Sequence, residues 1–300
     1  MTKGKEFKSV IRVGSRASRL AVIQSEIVIR QIEEACPDVR AELITMKTTG
    51  DRILDKTLDQ IGGKGLFVKE LDEALRAGEV DLTVHSLKDL PGIIPEDLPL
   101  AAFSHREDPR DVLVLPAGKT EIDLSLPVGT SSLRRSLQIK ELMPGVTTAP
   151  VRGNVETRLR KLDEGQYSAL VLAAAGLKRL GLEERISRYF SPEEMIPAAC
   201  QGVLGIQTRA GEITAVTDRI NDEDSGRCAL AERAYVKAIG ADCGSPDTAF
   251  AQISGDQIII MGLRYDAERQ TVLKESICGP ASEAEALGRE LADRMIRNER

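Results

Sequence analysis

Two short stretches of the chain gather arginine beside small polar residues: Val128-Gly-Thr-Ser-Ser-Leu-Arg-Arg135 and Val151-Arg-Gly-Asn-Val-Glu-Thr-Arg-Leu-Arg-Lys161. From Thr130 to Arg160 there are five arginines and one lysine (Lys140) against two acids, Glu141 and Glu156, in a chain with 41 basic and 47 acidic residues. The guanidinium group is a planar fork of donors that matches a carboxylate or a phosphate. The Thr/Ser run before Leu133 adds hydroxyls and backbone N–H groups where a helix would start. The clustering points to a site for several anionic groups. The plainer alternative is a solvated basic face.

Three other motifs could carry chemistry. Ser86-Leu-Lys-Asp89 follows a short apolar run, Leu82-Thr-Val84, and so would sit at the end of a buried strand. There Asp89 could serve as a general acid or base beside Lys88, or the motif could be a turn salt bridge closed by Pro91. Cys243 lies in Gly240-Ala-Asp-Cys-Gly-Ser-Pro246, a tight loop that would leave a thiol accessible for covalent attachment. Gly62-Gly-Lys-Gly65 resembles a phosphate loop but lacks the Walker spacing and its Lys-Ser/Thr ending. It better suits a loop or hinge that carries Lys64 toward a ligand, or simply a glycine-rich helix start.

Composition narrows the class. At 300 residues the length prior is about two domains. Aromatic content of 3% with no Trp excludes stacking platforms for single-stranded nucleic acid, and a net charge of -6 argues against a general nucleic-acid binder. No apolar run is long enough to span a membrane and no signal-peptide pattern opens the chain, so a cytoplasmic protein is expected. The five cysteines (Cys36, Cys200, Cys228, Cys243, Cys278) are scattered without metal-ligand spacing, and His85 and His105 are the only histidines. No metal site is expected.

The elements that must position these residues alternate between strand and helix. Val10–Val13 reads as a strand, Gly14–Ser18 as a polar turn, and Arg19–Ala35 as a helix with Leu20, Ile23, Ile27 and Ile32 on its apolar face. A strand at Ala41–Lys47 and an amphipathic helix after Gly65, ended by Gly78, follow. A second block repeats the logic: strands at Asp111–Leu115, Leu126–Gly129, Val146–Val151 and Ala169–Ala173. Its helices are capped by Ser131 or Ser132 and by Asn154, the latter spanning Val155–Glu164. A third block has a helix (Arg227–Ile239), three strands (Thr248–Ile253, Gln257–Leu263, Thr271–Cys278) and a closing helix (Ala281–Arg297). This is an α/β pattern, with ligands expected at the carboxyl ends of strands. No internal repeat is visible in the sequence.

Taken together the segments resemble the porphobilinogen deaminase (hydroxymethylbilane synthase) family of tetrapyrrole biosynthesis. The carriers are Arg12-Val-Gly-Ser-Arg-Ala-Ser18, Gly62-Gly-Lys-Gly-Leu-Phe-Val-Lys-Glu70, Val84-His-Ser-Leu-Lys-Asp89, Arg106-Glu-Asp-Pro-Arg-Asp111, Val128–Arg135, Arg152-Gly-Asn-Val-Glu-Thr-Arg158, Ala175-Gly-Leu-Lys-Arg-Leu180 and Gln201-Gly202. The resemblance implies a transferase that joins four porphobilinogen units head to tail and releases ammonia. The product would grow on a dipyrromethane cofactor held by a thioether to Cys243. It implies Asp89 as the catalytic residue, contacting pyrrole nitrogens and stabilising an azafulvene cation. It assigns Ser86, Lys88, Thr130, Ser132, Arg134, Arg135 and Arg158 to the cofactor, and Arg16, Ser18, Lys64, Arg152 and Arg179 to the substrate.

The implied fold has three α/β domains. The first two would resemble type II periplasmic binding proteins, with a cleft and hinge between them, and the third would be small with a three-stranded sheet. The expected division is 1–104 with 200–220, then 105–199, then 221–300. The partners implied are porphobilinogen and the growing pyrrole chain, with no nucleic acid or membrane, and the protein is expected to be a monomer. Two positions depart from the family pattern: Gln60 replaces a lysine near the glycine loop, and Asp247 replaces an apolar residue after Pro246. The alternatives are a non-catalytic two-lobed anion-binding protein, and a phosphate- or nucleotide-using enzyme built on Gly62–Gly65.

Overall fold

The computed structural model describes residues 9–46, 68–241 and 244–298. The chain divides into two units, Met1–Arg106 with Val203–Gly226, and Glu107–Gly202 with Arg227–Arg300. The α/β class expected from the sequence holds in both.

In the first unit, β1 (Val10–Arg16), β2 (Arg40–Met46) and β3 (Leu82–Ser86) run parallel, and β4 (Leu100–Phe103) and β10 (Leu204–Thr208) complete a sheet of order β2-β1-β3-β10-β4. The returning strand β10 is antiparallel to both its neighbours. Helix α1 (Arg19–Ala35) covers one face, where Val28 and Ile32 meet Ile11, Val13, Leu82 and Val84. Alternation along β3 puts Leu82, Val84 and Ser86 on one side and Thr83 and His85 on the other. Helix α2 (Lys69–Arg76) contributes Ala74 and Leu75 to a separate cluster with Val80 and Leu98.

Two sequence expectations change here. β1 continues through the supposed turn to Arg16, so Arg16 is the last strand residue. The buried face of α1 is Gln24, Ser25, Val28 and Ile32, whereas Leu20, Ile23 and Ile27 are half-buried. Two polar residues occupy the buried line, so hydrophobic periodicity pointed to a neighbouring stripe.

The second unit holds two sheets. β5 (Asp111–Val114), β6 (Val128–Gly129), β7 (Thr148–Ala149), β8 (Ala169–Ala173) and β9 (Arg188–Tyr189) form the order β7-β6-β8-β5-β9. β6, β7 and β8 are parallel, and β5 is antiparallel to β8 and β9. The pairing scheme therefore repeats that of the first unit strand for strand: two parallel neighbours flank the first strand, and one antiparallel strand lies between the third and the edge. Alternate residues of β5 and β8 feed two cores, Val112, Val114, Leu170 and Leu172 on one face, Leu113, Ala169 and Val171 on the other. Helices α3 (Leu133–Leu142), α4 (Val155–Asp163) and α5 (Ala174–Arg179) follow β6, β7 and β8.

The other sheet is an antiparallel meander, β11 (Thr248–Ser254), β12 (Gln257–Asp266) and β13 (Thr271–Pro280). Its inner face packs on α7 (Glu223–Ile239) and α8 (Ala284–Asn298) through Tyr235, Ala249, Ala251, Ile258, Ile260, Leu291 and Met295. The two helices touch where a Cβ at Gly288 would meet the Ala231 carbonyl oxygen at 2.2 Å, so only glycine fits there. Ile196, Phe250 and Leu263 form one cluster, and Thr248 Oγ1 donates to the Pro197 carbonyl at 3.0 Å, tying this sheet to the segment before Cys200. Glu232, fully buried, accepts from the backbone N–H of Cys200 (2.5 Å) and of Ala251 (2.7 Å). Short helix α6 (Thr214–Ile220) lies in the first unit.

Among the described residues no helix is long and apolar enough to cross a membrane, and no group of three His, Cys, Asp or Glu side chains could hold a metal ion.

Candidate active site

In both units the residues singled out by type follow the carboxyl ends of the three parallel strands, where a parallel α/β sheet presents its loops to ligands. In the first unit β1 delivers Arg16 and Ser18, and β3 delivers Ser86, Lys88 and Asp89. Ser18 caps α1 by accepting from the Ala21 N–H at 3.4 Å, and the first turn of α1 contains no acid. No acid in the first turn of the helix offsets its positive end.

Asp89 ends a single 3-10 turn, Leu87–Asp89, and its side chain is exposed. The turn below it is firmly held. Leu87 is fully buried and its N–H donates to the Val203 carbonyl at 3.0 Å, and Ser86 pairs with Leu204 in the β3–β10 ladder. Gln24 of α1 donates to Ser86 Oγ (2.9 Å) and accepts from it (3.1 Å). On the opposite face His85 Nε2 lies 2.9 Å from Thr83 Oγ1. Burial lowers the His85 pKa to about 4, the nearby Arg16 charge pushes it the same way, and the Gln207 amide only partly offsets them. His85 is therefore neutral near pH 7.

In the second unit β6 leads to Thr130 and Ser132, β7 to Arg152 and Arg158, and β8 to Arg179. Ser132 accepts from the Arg135 N–H (3.4 Å) and Asn154 from the Thr157 N–H (2.8 Å), capping α3 and α4. Ser131 Oγ donates to the Val151 carbonyl (2.7 Å) and accepts from the Val151 N–H (3.1 Å), which joins the loops after β6 and β7. Gly153 has φ +110°, and a Cβ there would lie 2.6 Å from Thr157 Cγ2. That backbone turn brings the Gly153 carbonyl to Arg158 Nε at 2.8 Å. The Arg152–Arg158 motif is thus one self-bonded loop and helix start.

Arg134 and Arg135 point inward. Arg134 Nη1 donates to Asp111 Oδ2 at 2.7 Å and to the Ile196 carbonyl at 2.5 Å. Arg135 Nε and Nη2 donate to Asp111 Oδ1 at 3.0 and 2.7 Å. Gln201 Nε2 adds a bond to the same oxygen at 2.8 Å and another to the Pro109 carbonyl at 2.7 Å. Burial alone would raise the Asp111 pKa, but the two guanidinium groups and their hydrogen bonds hold it well below the usual carboxylate range. Two buried cations share one carboxylate, so the cluster keeps a net positive charge. Nearby in sequence, Arg179 Nη2 donates to the Gly202 carbonyl at 2.6 Å, and burial lowers its pKa to about 10, partly opposed by Glu107. Arg179 stays cationic at neutral pH.

The expected residues Lys64 and Cys243, and the departure at Gln60, lie outside the described residues. The C-terminal flank of the Cys243 loop is described. Asp247 accepts from Ser245 Oγ (3.0 Å) and from the Tyr265 N–H (2.7 Å), so a carboxylate anchors the loop where an apolar side chain was expected.

The family model described as "Porphobilinogen deaminase, dipyromethane cofactor binding domain" matches residues 11–217, and "Porphobilinogen deaminase, C-terminal domain" matches residues 227–297. The porphobilinogen deaminase of Acetivibrio thermocellus is 54% identical over 287 residues, 96% of this chain and 98% of its own. The chain belongs to the porphobilinogen deaminase family. The porphobilinogen deaminase of Chromobacterium violaceum is 46% identical over 297 residues, 95% of this chain and 94% of its own. Among solved structures, the periplasmic aliphatic sulphonate binding protein SsuA from Escherichia coli aligns with 97% of this chain and 88% of its own at 11% identity and a TM-score of 0.41.

Porphobilinogen deaminase is hydroxymethylbilane synthase, a transferase of tetrapyrrole biosynthesis, and the cofactor of the family is dipyrromethane. The donor set in the second unit fits such a group. Pyrroles bearing acetate and propionate call for cationic charge and hydroxyls; Arg134 and Arg135 spend their forks on Asp111, Ile196 and Val171 and so offer net charge, and the capped helix starts add hydroxyls and backbone donors. Membership also absorbs Arg106–Asp111, which sequence reading left without a chemical role. Asp111 is the counter-ion of Arg134 and Arg135, Asp108 pairs with Arg110 at 2.6 Å, and Glu107 with Lys178 at 2.7 Å. The bond of Gln24 to Ser86 had no signal in the sequence, where a glutamine on a helix stands out in no way.

Proposed function

We propose that this chain joins four porphobilinogen units head to tail, with Asp89 as the catalytic carboxylate and Cys243 as the thioether attachment point of the dipyrromethane. The observation that supports it best is Asp89 itself: an exposed carboxylate on a pinned turn at the carboxyl end of a buried parallel strand. A pyrrole whose aminomethyl nitrogen departs as ammonia develops positive charge conjugated with its ring nitrogen. A carboxylate accepting the pyrrole N–H stabilises that charge and orients the ring. Each condensation forms one carbon–carbon bond and releases one ammonia. The dipyrromethane, when bound, supplies the pyrrole terminus that is extended.

Arg16 and Ser18 in the first unit, with Arg152 and Arg179 in the second, hold the acetate and propionate groups of the substrate. Lys64 is proposed to join them. Charge-assisted hydrogen bonds contribute on the order of 1.5–3 kcal/mol each when shielded, and their main use here is register. Thr130, Ser132, Arg134, Arg135, Arg158, Ser86 and Lys88 would hold the cofactor, Arg134 and Arg135 through the charge that Asp111 leaves unbalanced. The division into three domains, with the β11–β13 sheet separate, belongs to the same proposal.

Intact mass and peptide mapping of the purified protein test it. The expected result is a two-pyrrole adduct on Cys243, absent from Cys243→Ser, in a protein that consumes porphobilinogen. An unmodified protein that leaves porphobilinogen intact overturns the reading.

A further inference from the structure

We infer that Gln24 is a positioning residue for the reaction, acting through Ser86 on the turn that carries Lys88 and Asp89. The inference rests on the reading of Asp89 given above. Gln24 lies on the buried line of α1 with Val28 and Ile32, and these two pack on Leu82 and Val84 of β3. Ser86 continues that same face of β3. The helix–strand contact is therefore apolar along most of its length and ends in a polar pair beside the 3-10 turn.

Only 4% of Gln24 is exposed, and both ends of its amide face the Ser86 hydroxyl, at 2.9 and 3.1 Å. A buried amide needs partners, and leaving one unmade costs about 1–3 kcal/mol. A leucine would have packed there at no such cost. The pair instead fixes the last residue of β3 in position and rotamer. Ser86 is the residue before the turn, with φ -62° and ψ 110°, and its side chain does not cap the turn. Its hydroxyl makes both hydrogen bonds of the Gln24 amide. The route to Asp89 is short: Gln24 holds Ser86, Leu87 is locked by its buried side chain and its bond to Val203, and Asp89 projects two residues on. Displacing a reacting group by about 1 Å can cost about 100-fold in rate.

The test compares Gln24→Met, which keeps length and apolar packing, with Ser86→Ala and the Gln24→Met/Ser86→Ala double variant. The full-length protein is assayed for porphobilinogen turnover, thermal midpoint and amide hydrogen exchange. Gln24→Met should lose about tenfold in kcat with KM within about twofold. Ser86→Ala should lose at least as much, because Ser86 is also proposed to hold the cofactor, and the double variant should lose no more than Ser86→Ala alone. Exchange of the 86–90 amides should quicken about tenfold in Gln24→Met, with the rest of the first unit unchanged. Unchanged exchange at 86–90 overturns the inference. So do losses that multiply in the double variant, or a turnover loss that merely follows a fall in thermal midpoint. Wild-type protein that leaves porphobilinogen intact counts against the proposed function, while the exchange result still reads the Gln24–Ser86 link.

Discussion

Under the proposed function, Asp89 and the arginines divide the work by burial. Asp89 is exposed on a fixed turn, whereas Arg134 and Arg135 are buried against Asp111. A group that must meet a developing cation has to be reachable, and a group that sets local potential does not. Asp89→Asn keeps the shape and a hydrogen-bond acceptor but removes the negative charge. It should leave the thermal midpoint within about 2 °C of wild type, because no buried charge loses a partner. Steady-state turnover of porphobilinogen should fall by at least about 100-fold, the scale for losing one preorganised electrostatic contact. Turnover within tenfold of wild type would remove Asp89 from the chemistry. The place of Asp89 just past the end of a buried strand was legible in the sequence, because a short apolar run precedes its motif. The pairing of Gln24 with Ser86 was not, since it exists only when α1 lies on β3. Nor was the inward turn of Arg134 and Arg135, since their counter-ion Asp111 comes from a different motif.

At the scale of elements, the loops after parallel strands are built alike. Each capped helix start uses its serine or asparagine on the third backbone N–H of the helix, which leaves nearby donors and the helix dipole facing the strand ends. The sequence expectation for these caps was sound at Asn154 and open between Ser131 and Ser132. The structure resolves it: Ser132 caps the helix, and Ser131 joins the neighbouring loop. Gly153 is the most demanding position of the set. Its φ of +110° is costly for any L side chain, and an added methyl would collide with Thr157. Gly153→Ala should therefore lower stability by about 1–3 kcal/mol. It should also raise KM for porphobilinogen severalfold, because Arg152 and Arg158 flank the displaced turn. Chemical denaturation and steady-state kinetics on one preparation check both. A wild-type KM in a destabilised variant would mean that the loop shapes the fold without holding substrate.

The whole molecule repeats one strand-pairing scheme in two units, a repeat that sequence comparison of its own segments did not show. Pairing order depends on which strand lies beside which, and β10 arrives from far along the chain while β5 precedes the strands it completes. Two buried titratable groups, His85 in the first unit and Asp111 in the second, lose their contributions in different pH ranges, and this gives a two-step response to acid. In the first unit His85 is buried neutral, with its pKa lowered from 6.5 to about 4 and Thr83, Gln207 and Arg16 around it. For a base with a depressed folded pKa, the unfolded chain binds the extra proton between those values. Stability is full above the unfolded pKa and is lost as pH falls toward 4. In the second unit Asp111 has its pKa held below 3.8, so its contribution is full above that value and is lost only at lower pH. Between pH 7 and 5 the loss should come from His85 alone among these two and amount to about 2 kcal/mol. His85→Gln removes the titration while keeping a polar side chain beside Thr83. Urea unfolding followed by far-UV circular dichroism at pH 7 and pH 5 should show the wild type losing about 2 kcal/mol more than the variant. Equal losses would assign the acid sensitivity to another group. A further fall below pH 4 in both proteins is expected as Asp111 takes up a proton in the unfolded chain while the folded carboxylate, held between Arg134 and Arg135, stays ionised.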